Sequence, residues 1–67
     1  MARLRRLPQS RYIGVRDRMV FYDCDDPVQF AELEAAIEAG DLLAKGSLSS
    51  FGPDTEAEAR NRGFRAR

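Results

Sequence analysis

The spacing of apolar residues changes within RYIGVRDRMVFYDCDDPVQFAELEAAIEAG, residues 11–40. The first part, residues 11–22, is rich in β-branched and aromatic side chains, which favour strands. The last part places Phe30, Leu33 and Ile37 at the helical period of about 3.6, so they lie along one side of a helix. A strand segment followed at once by an amphipathic helix predicts an α+β domain.

The centre of residues 11–22 is too charged for one continuous strand. An unbroken strand would put Asp17 on the apolar face, whereas a hairpin with its loop at 16–18 turns the charges outward. We therefore predict a β-hairpin with a three-residue loop. The apolar residues that this pairing would bring onto one face are Ile13, Val15, Met19 and Phe21.

Both ends of the predicted helix carry capping signals. Asp26 is suited to the N-cap, Pro27 to the first helical position and Gln29 to the return position of a capping box. Gly40 is expected to end the helix as a left-handed cap. The helix is thus predicted over residues 27–39.

The segment 41–51 predicts a third strand. Leu42, Ala44 and Leu48 would lie on one side of it. Gly46 would mark a bulge or a close approach of another backbone.

A short second helix is predicted after a Gly-Pro break at 52–53. Thr55 and Glu58 have the spacing of a capping box. Gly63 is placed to close the helix, and Phe64 follows where a residue commonly packs back onto the last turn.

The predicted order is therefore β-β-α-β-α, with one layer of sheet under one main helix. A basic N-terminal arm covers residues 1–10, the small single α+β domain covers 11–64, and a C-terminal tail covers 65–67. We expect the tail to be frayed.

Charge is balanced overall but separated along the chain, with 11 Lys and Arg residues against 11 Asp and Glu residues. Residues 1–18 hold six Arg and one Asp, whereas residues 19–44 hold seven acids and no base. Residues 45–67 are again mildly basic. This separation of charge indicates that the chain binds a partner through charged surfaces.

Composition argues against several classes of function. The 67-residue chain has no His and one Cys, which removes the commonest general base, the commonest metal ligand and any internal disulfide. No apolar run is long enough to span a bilayer, and no secretory signal is evident. We expect a cytoplasmic protein, or one within a virion or other assembly, that is not an enzyme and has no catalytic, cofactor or metal site.

The densest polar cluster, Asp23 to Asp26, has two interpretations. Three carboxylates could hold Mg²⁺, but no cation-loop spacing is present, so a strand-to-helix turn is the favoured interpretation. Cys24 beside a helix N-terminus could be a reactive thiol, but the neighbouring acids oppose its ionisation. We expect a small core residue there.

A chain with so few large apolar residues commonly gains stability by association. We therefore predict a protein–protein interaction module, a small accessory or structural subunit of a larger and phage-like assembly, whose partner is another protein or a second copy. The alternative is a nucleic-acid-binding regulator that uses the basic arm and hairpin, with Tyr12 and Tyr22 stacking on bases.

The predicted partner-binding residues come from the basic arm, the hairpin and the acidic helix. They are Arg3, Leu4, Arg5, Arg6, Leu7, Arg11, Arg16, Arg18, Glu32, Glu34 and Glu38. Whether the arm contacts a partner or folds over its own helix is left open by the sequence.

Overall fold

The computed structural model describes residues 7–40 and 45–67 and confirms the α+β class. One sheet holds four strands in the order β3-β1-β2-β4; β4 runs parallel to β2 and the other pairs are antiparallel. The elements in chain order are β1 (Tyr12–Val15), β2 (Val20–Asp23), α1 (Pro27–Gly40), β3 (Leu48–Ser49), α2 (Glu56–Asn61) and β4 (Arg65–Ala66).

The hairpin forms, but the predicted loop length is wrong. Val15 pairs with Val20, so the loop contains the four residues 16–19 instead of three. Met19 closes it in the left-handed region, with φ of 52°. The predicted pairing of Val15 with Met19 is therefore shifted by one residue.

This shift exchanges the two faces of β2, because neighbouring residues of a strand point to opposite sides. Met19 is 39% exposed, and Phe21 lies on the opposite face from Ile13. The residues that actually share the first face are Ile13, Val15, Val20 and Tyr22.

The first core lies between that face and α1. Ile13, Val15 and Leu33 are fully buried there. Phe30 and Ile37 pack against the same cluster, which confirms the predicted helical stripe.

Asp26 caps the N-terminus of α1 as predicted, but the return bond of the predicted capping box is not made, since the N–H of Asp26 donates to the carbonyl of Asp23. The carboxylate of Asp26 accepts hydrogen bonds from the backbone N–H groups of Val28 (2.9 Å) and Gln29 (3.4 Å). The side-chain oxygen of Gln29 reaches further back and accepts from the N–H of Asp23 at 2.9 Å. Gly40 is the last residue of the helix instead of a cap beyond it.

A second core covers the other face of the sheet. Phe21, Phe51, Ala59 and Phe64 form a buried cluster, in which the rings of Phe51 and Phe64 meet edge to face at 5.2 Å. The prediction of one sheet layer under one helix is therefore incomplete, because α2 and its flanking loops cover the sheet face opposite α1.

Both ends of α2 are capped at the predicted residues, but only half of the predicted capping box forms. The Glu58 carboxylate pairs with Arg62, and the N–H of Thr55 donates to the carbonyl of Pro53. Thr55 Oγ1 accepts from the N–H of Glu58 at 3.1 Å. Gly63 has φ of 92°, and its N–H and that of Phe64 donate to the carbonyls of Arg60 and Ala59. These two bonds form a Schellman motif, which directs the Phe64 ring into the second core.

Two C-terminal predictions need correction. The predicted third strand is only Leu48–Ser49, and Leu42 and Ala44 lie outside the described residues. Gly46 has φ of 67° with open space around it, so it serves a turn and not a close approach.

The C-terminal tail is not frayed. Arg65 and Ala66 pair with β2, and the N–H of Arg67 donates to the carbonyl of Phe21 at 3.1 Å. The tail therefore completes the sheet.

Gly14 is predicted to be essential to the second core. A Cβ at this position would lie 2.6 Å from Phe64 and 2.9 Å from Phe51. Gly14→Ala should lower the free energy of unfolding by about 1–3 kcal/mol, the usual cost of overpacking, as measured by urea denaturation.

The control is the same substitution in a Phe64→Leu background. There the smaller side chain leaves room, so the added methyl group should cost less than in the natural chain. An equal cost in both backgrounds would contradict the clash with Phe64 and leave the one with Phe51 as the cause.

Candidate functional site

The side of α1 that points away from the sheet exposes one valine and three alanines. Val28 is 60% exposed, and Ala31, Ala35 and Ala39 are also exposed. Their spacing of three and four residues aligns them along one side of the helix, opposite the buried Leu33. Sequence reasoning missed this surface, although the spacing of its apolar residues is visible in the chain.

Acidic side chains flank these apolar residues on both sides. With 3.6 residues per turn, Glu34 and Glu38 lie along one flank and Glu32 along the other. All three are exposed. Below, "outer face" means Val28, Ala31, Ala35 and Ala39 together with Glu34 and Glu38.

The three glutamates differ in their partners. Glu32 forms a two-pronged ion pair with Arg67, beyond β4. Within residues 7–40 and 45–67, neither Glu34 nor Glu38 forms an ion pair. The negative charge of the outer face is therefore uncompensated within the described part of the chain.

The Glu32–Arg67 pair also affects titration. Its hydrogen bonds to Arg67 hold the pKa of Glu32 below the ordinary value of 4.5. The same hydrogen bonds raise the pKa of the Arg67 guanidinium. Glu32 thus fastens the C-terminal strand to α1.

Arg11 was predicted to bind a partner, and in the structure it forms ion pairs with Asp23 and Asp25 of its own chain. Its guanidinium donates to both carboxylate oxygens of Asp23 at 3.0 Å and lies 3.2 Å from the carboxylate of Asp25. The hydrogen bond to Asp23 is the main reason that the pKa of Arg11 is raised. The side chain also covers the Tyr12 ring at 4.9 Å.

The acidic turn has a structural part in the fold. Asp23 Oδ1 accepts from the N–H of Asp25 at 2.9 Å, and Asp26 caps α1. Cys24 is fully buried. Among the described residues, no group of three or more potential ligands is arranged to hold a metal ion.

Asp54 is a further structural residue that the sequence reasoning overlooked. Its two carboxylate oxygens accept from the backbone N–H groups of Arg11 (2.6 Å) and Tyr12 (2.9 Å). These bonds tie the segment before α2 to the start of β1. An Asp directly after Gly-Pro is the sequence signal, but its distant partners are not visible in it.

The hairpin loop presents uncompensated positive charge. Arg16 and Arg18 are exposed, and Arg65 is placed beside the loop because its N–H donates to the carbonyl of Met19 at 2.8 Å. On the other side, the N–H of Arg16 donates to the carbonyl of Ser47, two residues after the exposed Lys45. We define the basic tip as Arg16, Arg18, Met19, Lys45 and Arg65.

The remaining predicted residues either pack against the first core or lie outside the described part of the chain. Leu7 packs against the first core of its own molecule, and Tyr22 is 5% exposed. Tyr22 therefore cannot stack on a base without unfolding the core. The arm residues Arg3, Leu4, Arg5 and Arg6 lie outside the described part of the chain.

No helix within the described residues has the length and apolarity to cross a bilayer. No protein-family model, curated protein or solved structure matches the chain.

We predict that removing Arg67 changes the titration of Glu32. Because the folded pKa lies below 4.5, the pair stabilises the fold above that pH, and this contribution is lost as the pH falls through the folded pKa. Arg67→Gln should raise the pKa of Glu32 toward its ordinary value, as followed by carboxyl-carbon NMR.

Arg60→Gln is the matched control, because Arg60 pairs with Glu56 elsewhere on the surface. It should leave the titration of Glu32 unchanged. An unchanged pKa of Glu32 after Arg67→Gln would show that the ion pair does not form in solution.

We also predict that Asp54→Ala leaves two backbone donors without their acceptor. The expected loss is about 1–2 kcal/mol in the free energy of unfolding, since each hydrogen bond contributes modestly to net stability. Asp54→Asn keeps one acceptor oxygen and should cost about half as much by the same reasoning. Urea denaturation measures both, and wild-type stability in Asp54→Ala would refute the connection.

Proposed function

We propose that this chain is a non-enzymatic protein–protein interaction module, a small accessory or structural subunit of a larger assembly. The outer face of α1 is its docking surface, and the partner presents a basic segment. The observation that supports this most is the exposed apolar surface of α1 flanked by two glutamates with no ion pair among the described residues.

The two parts of the outer face have separate tasks in this proposal. Apolar contact with Val28 and the alanines supplies most of the affinity, because desolvated contacts at the centre of an interface dominate binding. Glu34 and Glu38 set the register and the rate of encounter. From Val28 to Ala39 the surface is about 16 Å long, which matches a short helical or extended segment.

The charge of α1 narrows the class of partner. The helix carries Glu32, Glu34 and Glu38 and no basic residue. A second α1 packed directly against it would bring like charges together, which is unfavourable. Residues 1–6, MARLRR, have the complementary chemistry, with Leu4 among three arginines.

Nucleic-acid binding is the second candidate, and the basic tip favours it. Arg16, Arg18, Lys45 and Arg65 could neutralise phosphates. The acidic helix counts against it, and so do the two tyrosines, because Tyr22 is buried and the Tyr12 ring is covered by Arg11.

The proposal is tested by titrating the full chain with a fluorescent MARLRR peptide at low salt and measuring anisotropy. Glu34→Gln together with Glu38→Gln should weaken binding about 3- to 10-fold, as expected for the loss of two exposed ion pairs. Raising the salt concentration should weaken binding to the natural chain.

The matched control removes two carboxylates from α2, by Glu56→Gln together with Glu58→Gln. That variant has the same net charge and should bind the peptide as the natural chain does. Equal weakening in both variants, or no saturable binding to the natural chain, would overturn the proposed docking surface.

A further inference from the structure

We infer that the partner of the outer face is a second copy of this chain, which contacts it through the basic tip. This inference rests on the proposed function of α1 and adds the identity of its occupant. It is carried by two surfaces of the same molecule that are complementary in charge.

The basic tip has the form of an anchor. Met19 is 39% exposed and is held in a left-handed conformation at the end of the four-residue loop. Arg16 and Arg18 precede it in the loop and are exposed. Met19 therefore lies beside two exposed arginines at one end of the sheet, and its terminal methyl group lies near Gly63 of the same chain.

Positive charge dominates around this anchor. Within residues 7–40 and 45–67, none of the four basic side chains of the tip forms an ion pair. The one acid in the loop, Asp17, accepts a hydrogen bond from Ser47 Oγ at 3.1 Å. Asp17 offsets one of the four charges, so the tip keeps an excess of positive charge.

The outer face of α1 offers the matching groups. Val28 and the exposed alanines can receive the thioether of Met19, and Glu34 and Glu38 can receive the two guanidinium groups of the loop. Both surfaces are exposed in the isolated chain, so their contact buries apolar area and pairs charges at once. Complementary potentials of this kind favour one register over others.

The contact must form between molecules. The buried Leu33 side of α1 faces the sheet, so the outer face points away from the strands that carry the tip. Arg16, Arg18 and Met19 belong to the loop that joins those strands, so they lie on the sheet side of α1. Because the two surfaces differ, the contact is head-to-tail, and its repetition closes a ring or extends a filament.

A second copy fits these observations better than a nucleic acid does. Each copy carries one acidic outer face and one basic tip, so every tip has a matching surface on another copy. The chain has zero net charge, so copies do not repel one another overall. Met19 contributes nothing to a phosphate contact, whereas it fills an apolar surface. Nucleic-acid binding at the tip becomes an outcome of the test.

Charge reversal with complementation tests the inference, with sedimentation velocity of the full chain at low salt from 10 μM to 1 mM as the readout. The natural chain should associate. A tip variant, Arg16→Glu with Arg18→Glu, and a face variant, Glu34→Arg with Glu38→Arg, should each remain monomeric. An equimolar mixture of the two variants should associate again.

The matched control separates specific docking from general attraction between oppositely charged proteins. The face variant is replaced by Glu56→Arg with Glu58→Arg, which carries the same net charge on α2. Circular dichroism verifies that each variant is folded. Mixed with the tip variant, this control should give no association.

A monomeric natural chain at 1 mM, or a tip variant that associates as the natural chain does, overturns the inference. Association in the control mixture also overturns it. If instead the tip variant loses binding to a 20-nucleotide single-stranded DNA that the natural chain binds, the tip is a nucleic-acid site.

The peptide titration distinguishes this failure from failure of the proposed function. When the MARLRR peptide still requires Glu34 and Glu38 but the tip is dispensable for association, only docking through the basic tip is refuted. When peptide binding ignores Glu34 and Glu38, the docking surface itself is refuted.

Discussion

The pairing of Val15 with Val20 is the constraint on which the rest of the structure depends. It fixes which side chains of β2 face α1 and which face α2, because a strand alternates sides at every residue. With this register Tyr22 enters the first core and Phe21 the second. A shift of one residue would leave Phe21 under α1 and strip the second core of its central ring.

Covering the sheet on both sides also determines what remains exposed. The apolar side chains of the strands pack into the two cores. Arg11 and Glu32 form ion pairs within the molecule, which connect β1 to the acidic turn and β4 to α1. The outer face of α1 and the basic tip are the surfaces left with uncompensated charge in the described chain. The acidic and basic segments of the sequence thus form separate acidic and basic surfaces in the folded chain.

Local signals in the sequence predicted both described helices, whereas the long-range pairing of strands could not be predicted from them. Asp26, Thr55 and Gly63 act within four residues of themselves, so their capping functions could be read directly. The loop carries no glycine, and Met19 takes the left-handed conformation instead, which concealed the loop length. β4 pairs with residues more than 40 positions away in the sequence, so no local signal predicts it. The apolar part of the outer face was overlooked because alanines are common in any helix.

Nuclear Overhauser contacts across the hairpin report its register without any substitution. Pairing of Val15 with Val20 predicts side-chain contacts between these two residues and between Ile13 and Tyr22, together with contacts from the ring of Phe21 to that of Phe64. Contacts from Val15 to Met19 and from Ile13 to Phe21 would contradict it, since both faces of the sheet would then be assigned wrongly.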